Sequence, residues 1–206
     1  MAPPPPPQAD FTLDPSLSGY DVLIHDYLSK LNETAIPKLE GLATGAVIFS
    51  THHPADQPDR VLFVQRAAHD SMPNRWEIPG GAVDENETVV GGLAREVWEE
   101  SGLEVRRFIT SVGSGEGLRA GAVFTTTRGR FIFKLTFVVE VKDSSAVNLD
   151  PNEHQDYVWA TEEECRARLV ESSAEGKAPT QLLFTTAAQE WAIRRAFEIR
   201  KETRGE

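Results

Sequence analysis

Stretches of helical periodicity interleaved with stretches of strand alternation predict a fold of the α/β or α+β class. Three observations carry the prediction. Behind Thr88, the apolar residues Val90, Leu93, Ala94 and Val97 recur at helical spacing. Phe131, Phe133, Leu135, Phe137, Val139 and Val141 alternate, as on a half-buried strand. Near the C-terminus, Phe184, Ala187, Ala188, Trp191 and Ala192 form a second helical stripe, whose apolar face is expected to cover the sheet. A chain of 206 residues fits one domain of ordinary size with a small N-terminal addition.

Taken in order, residues 1–9 contain five consecutive prolines, Pro3 to Pro7, and read as a disordered Pro-rich tail. Residues 10–41 read as an N-terminal helical extension, because Tyr20, Ile24, Tyr27, Leu28 and Leu31 form a stripe and Pro37 interrupts the linker behind it. The main domain is then 42–206. It opens with strands over Ala46 to Ser50 and Val61 to Arg66, followed by a short strand in which Trp76 and Ile78 flank Glu77. Pro79, Gly80 and Gly81 favour a turn. Thr88 is a suitable N-cap for the helix from Val89. Gly91 and Gly92 each cost that helix about 1 kcal/mol relative to Ala, and their missing side chains leave room for a ligand. A strand from Leu103 to Val112, a Gly-rich loop over Gly113 to Gly121 and a hairpin of Ala122 to Thr126 with Arg130 to Val141 around Gly129 come next. Another short strand spans Asn152 to Trp159, and Thr161 with Glu164 forms a capping-box pattern. The last helix is placed from Thr180 to about Glu202, with Arg194, Arg195, Arg200, Lys201 and Arg204 solvated at its basic end.

Bulk properties narrow the functional classes. With 21 Lys plus Arg against 32 Asp plus Glu, the formal charge is -11, which argues against binding nucleic-acid polymers or anionic membranes. The single cysteine, Cys165, excludes an intramolecular disulfide and suits a reducing compartment. The absence of a long apolar run and of a signal-like N-terminus leads to a cytoplasmic expectation.

The chemistry concentrates between Gly81 and Leu103. Glu96, Glu99 and Glu100 stand at i, i+3 and i+4, so their carboxylates leave one face of the helix within reach of a shared ion. Three neighbouring anions repel one another, and a hard divalent cation such as Mg²⁺, or Mn²⁺ in its place, turns that repulsion into binding energy. A solvated acidic helix with an Arg95 to Glu99 pair accounts for the short run alone. The longer spacing is more specific. Gly81, five residues, Glu87, seven residues, Arg95, Glu96, Val97, one residue, Glu99, Glu100, one residue, Gly102 and Leu103 match the Nudix signature at every defined position.

The chain therefore resembles the Nudix hydrolases, MutT-like members in particular. The resemblance implies an α/β/α sandwich with a mixed β-sheet over roughly residues 42 to 202. It also implies a pyrophosphohydrolase that acts on acid anhydrides, cleaving the diphosphate linkage of a nucleoside diphosphate derivative. The metal ligands it implies are the Gly81 carbonyl, Glu96, Glu99, Glu100 and Glu153, with Glu96, Glu100 and Glu153 as alternatives for the general base. Arg95 is expected to orient the carboxylates or to contact phosphate, and Glu87 to be structural. Arg66, by its spacing to Pro79, Gly80 and Gly81, either contacts substrate phosphate through its guanidinium fork or is a strand-end charge. Trp76 either stacks on a base or fills the core. The markers of the ADP-ribose and dinucleoside polyphosphate branches are missing about fifteen residues past the signature, which leaves a nucleoside triphosphate or related derivative as the leading small-molecule substrate. A nucleotide-sensing or protein-binding module without significant catalysis is the alternative, and a homodimer is a common state among relatives.

Overall fold

The computed structural model describes residues 10–52, 57–171 and 178–205, so the Pro-rich stretch lies outside the described residues. The elements are β1 (Thr12–Leu13), α1 (Ile24–Asn32), β2 (Gly41–Ile48), β3 (Arg60–Arg66), β4 (Trp76–Glu77), α2 (Val89–Ser101), β5 (Val105–Ser111), β6 (Gly121–Thr125), β7 (Phe131–Val141), β8 (His154–Thr161), α3 (Glu162–Ala167), β9 (Leu169–Val170), β10 (Thr180–Gln181) and α4 (Ala187–Arg204). The main sheet runs β1-β5-β7-β2, with β6 also paired to β7. It is mixed, because β2 runs parallel to β7 and β1 parallel to β5, while β5 and β6 are antiparallel to β7. A second sheet, β4-β3-β8, is antiparallel. No helix among the described residues is long and apolar enough to cross a membrane.

Two apolar layers hold these parts together. One packs α2 and the N-terminal segment against the main sheet through Val90, Leu93, Val97, Phe108, Phe133 and Phe137. The other packs α4 against the second sheet through Phe63, Trp76, Ile193, Ala196 and Phe197. The helices thus cover the sheets from two sides.

The local chemistry of α2 explains its limits. Thr88 Oγ1 accepts from the Gly91 amide at 3.1 Å, satisfying one free N–H of the first turn. At the other end Gly102 stops the helix with φ of 67°, a conformation glycine adopts at no steric cost. Gly92 does not open space for a ligand. A Cβ there would stand 2.9 Å from both Glu87 Oε2 and Val83 Cγ1, so its bareness lets the preceding loop lie flat on the helix.

The N-terminal segment is built into the core. Leu17, Leu31 and Leu39 are all buried in the α2-side layer, and Tyr20 meets Phe137 edge-on at 5.0 Å. Its backbone is also tied to the loop before α2, since the Ile24 amide donates to Glu87 O at 3.0 Å and the Val89 amide to Val22 O at 3.1 Å.

Three points differ from the sequence reading. Strand β2 starts at Gly41 rather than Ala46, because Gly41, Ala43 and Gly45 carry no strand signal of their own. Helix α4 begins at Ala187 rather than Thr180, as Thr186 caps it by accepting from the Gln189 amide at 3.1 Å and Thr180–Gln181 pairs with Leu169–Val170. Its basic end is ion-paired. Arg204 meets Asp59 at 2.8 Å, and Arg195 meets Glu202 at 2.9 Å. The hairpin around Gly129 and the Thr161–Glu164 capping box match the expectation.

Replacing Leu31 by Ala is expected to cost about 2–5 kcal/mol of unfolding free energy in a urea titration, as for a buried leucine elsewhere in a core. A loss under about 1 kcal/mol would mean that the N-terminal segment contributes nothing to the fold's stability.

Candidate active site

The site starts from a guanidinium with no donor to spare. Arg95 Nε and Nη2 donate to the two oxygens of Glu87 at 2.7 and 3.0 Å, and Nη2 also donates to Ala82 O at 2.9 Å. Nη1 donates to Glu96 Oε1 at 2.9 Å and to Glu99 Oε2 at 2.7 Å. A guanidinium has five N–H groups, and all five have acceptors here. Arg95 therefore fixes the loop and the helix face to one another and has no free donor for a phosphate.

The Gly80–Gly81 turn presses against that face. A Cβ at Gly81 would lie 2.6 Å from Glu96 Oε2, so only glycine lets the carboxylate sit against the backbone. At Gly80, φ is 140° and a Cβ would stand 2.5 Å from Thr44 O, which excludes any other residue on two counts. The Gly80 amide donates to Glu100 Oε2 at 2.7 Å. Gly81 O accepts from the Thr44 amide at 2.8 Å and, over a longer 3.4 Å, from Thr44 Oγ1.

The three helix glutamates do not all converge. Glu96 and Glu99 turn toward Arg95 Nη1, whereas Glu100 turns inward to Gly80, Glu77 and His154. Glu77, Glu100 and His154 are all buried and bring potential ligand atoms within 4.8 Å of one another. Glu77 Oε1 takes a hydrogen bond from Arg66 Nη1 and lies 3.3 Å from His154 Nε2. Arg66 Nη2 donates to Asp70 Oδ2 at 2.6 Å, and this ion pair holds the Asp70 carboxyl well below the usual carboxylate range. Glu153, exposed just ahead of β8, stands close enough for its charge to act on both Glu96 and Glu100.

Burial sets the electrostatics. Desolvation pushes Glu100 well above the ordinary glutamate value, and the Glu77, Glu96 and Glu153 charges push it further, against the Gly80 hydrogen bond. Glu96 is raised by burial too, with part of the shift offset by Arg95. Glu96, Glu100 and Glu153 thus lie close enough for their charges to interact, while the set whose ligand atoms come within 4.8 Å of one another is Glu77, Glu100 and His154, and a hard divalent cation would relieve the carboxylate repulsion in either. The donor chemistry fits such an ion.

Beside the turn lies a cleft of about 1450 Å³. Arg66, Glu77, Gly80, Gly81, Lys134, Phe124 and Trp191 are among the residues that border it. Of the two readings left open for Trp76 the core one holds, whereas Trp191 departs from its reading. Trp76 is 1% exposed, packed in the α4-side layer, and has no ring face for a base. Side chains alternate along β4, so Trp76 points to the core and Glu77 to the site. Trp191, assigned by periodicity to the buried stripe of the last helix, is 41% exposed and faces the cleft, while Gln189, Ala192, Ile193, Ala196 and Phe197 form the buried side.

Sequence reasoning misses Glu77 and gives His154 no ligand role. The β3–β8 register that sets Arg66 opposite His154 joins residues 88 positions apart, beyond the reach of local pattern. Glu77 stands between two apolar residues in the ordinary alternation of a half-buried strand, so local pattern gives no sign that it is buried.

With calcium and magnesium chelated, the raised Glu100 value carries a pH-dependent stability of known sign. A carboxyl with a folded-state value above its unfolded one binds its proton more tightly when folded, so stability rises as pH falls from above the folded value toward the unfolded 4.5. Melting temperature is expected to rise on going from pH 8 to pH 5, and Glu100→Gln to flatten that slope and raise the melting temperature at pH 8. A shift of about 2–4 °C corresponds to each kcal/mol relieved. An unchanged slope in the variant would remove Glu100 as its source.

The comparisons with known proteins agree with this geometry. The model of the NUDIX domain matches residues 40–179. A MutT-like protein of Streptomyces ambofaciens is 30% identical over 145 residues, which are 70% of this chain and 79% of that protein. An RNA pyrophosphohydrolase of a Psychrobacter species is 42% identical over 52 residues, 25% of this chain and 28% of its own length. Among solved structures, the MutT protein from Methanosarcina mazei superposes with a TM-score of 0.56 at 22% identity, covering 81% of this chain and all of that one, which is a likeness of fold. Family match, relative and fold point the same way: the chain belongs to the NUDIX domain family and is a Nudix hydrolase by descent.

Proposed function

We propose that the protein is a divalent-metal-dependent pyrophosphohydrolase that cleaves the diphosphate linkage of a nucleoside diphosphate derivative, with a nucleoside triphosphate as the leading substrate. The observation that carries the reading is a pair of carboxylates, the buried Glu100 and the partly buried Glu96, held against the Gly80–Gly81 turn with their proton affinities raised. Burying carboxylates costs several kcal/mol, and a purely structural role does not repay that.

Glu96, Glu99, Glu100, the Gly81 carbonyl and Glu153 would hold Mg²⁺, with Mn²⁺ as a substitute. When bound, such an ion neutralises phosphate charge and makes a bound water more acidic. The protein's own groups do the rest. Arg95 keeps Glu96 and Glu99 in place from the loop side, and the Gly80 amide orients Glu100 so that its second oxygen, Oε1, is free to take the proton of the attacking water. The water oxygen bonds to phosphorus as the bridging P–O bond breaks in line with it, and the leaving phosphate takes the electron pair. Glu153 and Glu96 are the other candidates for the base, and the crowding of the three decides how readily each is protonated. Arg66, fixed by Glu77 and Asp70 at the cleft border, faces the phosphates from the opposite side.

One relative whose name carries an activity, an RNA pyrophosphohydrolase, matches over a quarter of this chain. It supports a phosphate anhydride as the bond that is cut and does not choose among nucleotides.

Release of phosphate or nucleotide from a panel of nucleoside diphosphate derivatives, with Mg²⁺ or Mn²⁺, tests the reading. Glu100→Gln is expected to lower kcat by at least about two orders of magnitude, the range of a missing catalytic group. Chelation is expected to abolish turnover and metal to restore it. If nothing in the panel turns over, yet a nucleotide raises the melting temperature, the chain is a nucleotide-binding module instead.

A further inference from the structure

The cleft floor is one face of the main sheet. The β2–β7 register sets Ala43 beside Lys134 and Gly45 beside Thr136. The β6–β7 register sets Ala122 beside Lys134 and Phe124 beside Ile132. Side chains alternate along a strand, so Lys134 faces the cleft while Phe133 and Leu135 are fully buried beneath it. Its cross-strand neighbours are two alanines, which leave its side chain uncovered on both flanks.

The stem of Lys134 leans toward the Gly80–Gly81 turn. A Cβ at Gly45 would stand 3.2 Å from Lys134 Cε and 3.0 Å from Ile78 Cδ1, so the lysine crosses β2 over the bare backbone of Gly45. Gly80 packs on the same spot, since a Cβ there would be 2.7 Å from Gly45 Cα. The ammonium end is thereby carried toward the turn that holds Glu100 and Glu96.

Among the described residues its charge has no counter-ion. Arg66 and Arg130, which border the cleft, and Arg95 behind the turn each pair with a carboxylate, and Arg119 is exposed on the rim loop, folded over Gly115. Lys134 is half-buried and, among the described residues, makes neither an ion pair nor a hydrogen bond, in a chain with 32 acidic residues. A partly desolvated ammonium without a partner is costly. A partner that arrives with the substrate explains its place, and that partner is an anion. Two exposed rings also line the cleft, Phe124 on the same sheet face as Lys134 and Trp191 on α4, and offer apolar surface to a planar group.

We propose that Lys134 is a specificity-determining residue that binds a phosphate oxygen of the nucleotide on the base side of the cleaved bond, with the base received by the Phe124 and Trp191 part of the cleft. This rests on the hydrolase reading above and extends it to the orientation of the substrate. Lys134 touches the substrate without taking part in bond making or breaking, so its removal is read in affinity.

The test compares wild type, Lys134→Met, which keeps the stem without the charge, and Lys134→Arg. Calorimetry measures binding of an α,β-methylene nucleoside triphosphate with Mg²⁺, and steady-state kinetics measures KM and kcat for the best substrate of the panel. Lys134→Met is expected to weaken binding and raise KM by about tenfold or more, the size of one charge-assisted contact, with kcat within about threefold. Lys134→Arg is expected to bind within about threefold of wild type. The affinity of Lys134→Met should also depend less on salt than that of wild type, which a merely structural role would not produce. Its melting temperature should be no lower than that of wild type, because no native partner is lost and the cost of the partly desolvated charge is removed. Equal affinity in wild type and Lys134→Met, or a fall in kcat at constant KM, overturns the proposal. A wild type that binds the analogue but hydrolyses nothing ends the hydrolase reading alone, and the calorimetric comparison still decides the role of Lys134.

Discussion

Five hydrogen bonds from one guanidinium hold the carboxylate half of this molecule in shape. Arg95 ties the loop, through Glu87 and Ala82 O, to the helix face, through Glu96 and Glu99. Without it, the neighbouring carboxylates on one helix face would push the last turns of α2 apart, and the loop ahead of the helix would have no anchor on that face. Other features depend on the same clamp. Gly92 must be bare so that Glu87 and Val83 reach the helix, and Gly81 must be bare so that Glu96 can lie on the turn. The N-terminal segment then supports the loop from behind, with hydrogen bonds at Glu87 O and at the Val89 amide. A segment far from the carboxylates in sequence thus helps to fix the residue that Arg95 grips.

The inner side of the site works by a different balance. Glu77 and Glu100 are buried acids that face one another, and desolvation dominates the raised value of Glu100. Arg66 compensates Glu77 directly but does not reach Glu100, whose own support is a single backbone amide. Arg66 Nε and His154 Nδ1 are also buried without a partner among the described residues. Unsatisfied buried polar atoms are rare in folded proteins, and here they sit within one network with the two carboxylates. The protein keeps its least comfortable groups together beside the cleft, where differential stabilisation by a bound ion or substrate acts on all of them.

Local pattern makes α2, its cap, its stop and the β6–β7 hairpin legible, because each depends on neighbours within a few residues. The spacing from Gly81 to Leu103 goes further and names the family. Register and facing lie beyond it. Trp76 and Trp191 are equally large and apolar, and only the pairing of β3 with β4 and the docking of α4 decide that the first is core and the second faces the cleft. Glu77 joins the site through a strand alternation that the flanking apolar residues conceal, and His154 joins through a bulged β3–β8 ladder. Pattern starts β2 five residues late because its bare positions exist to let other groups lie on them. Gly41, Ala43 and Gly45 are chosen for what they leave open, and propensity measures only what a side chain adds.

That same bareness bears on how an acidic protein receives an anionic substrate. At -11 the chain repels phosphates at long range, so attraction has to be local. Arg66, Arg95 and Arg130 are each committed to a carboxylate of the protein itself, and an ion pair already made offers little net charge to a newcomer. Among the described residues of the cleft, Arg119 on the exposed rim and Lys134 on the sheet side carry no ion pair, and a divalent ion held on the carboxylate side of the Gly80–Gly81 turn would add further positive charge. The glycines of the turn and of β2 are the thin wall between that ion and Lys134. A diphosphate lying across that wall would be neutralised from both faces, with the bond to be cut held nearer the carboxylates and the rest of the nucleotide directed along the sheet toward Phe124 and Trp191. Polarity along the cleft, rather than total charge, then decides which end of the substrate reaches Glu100.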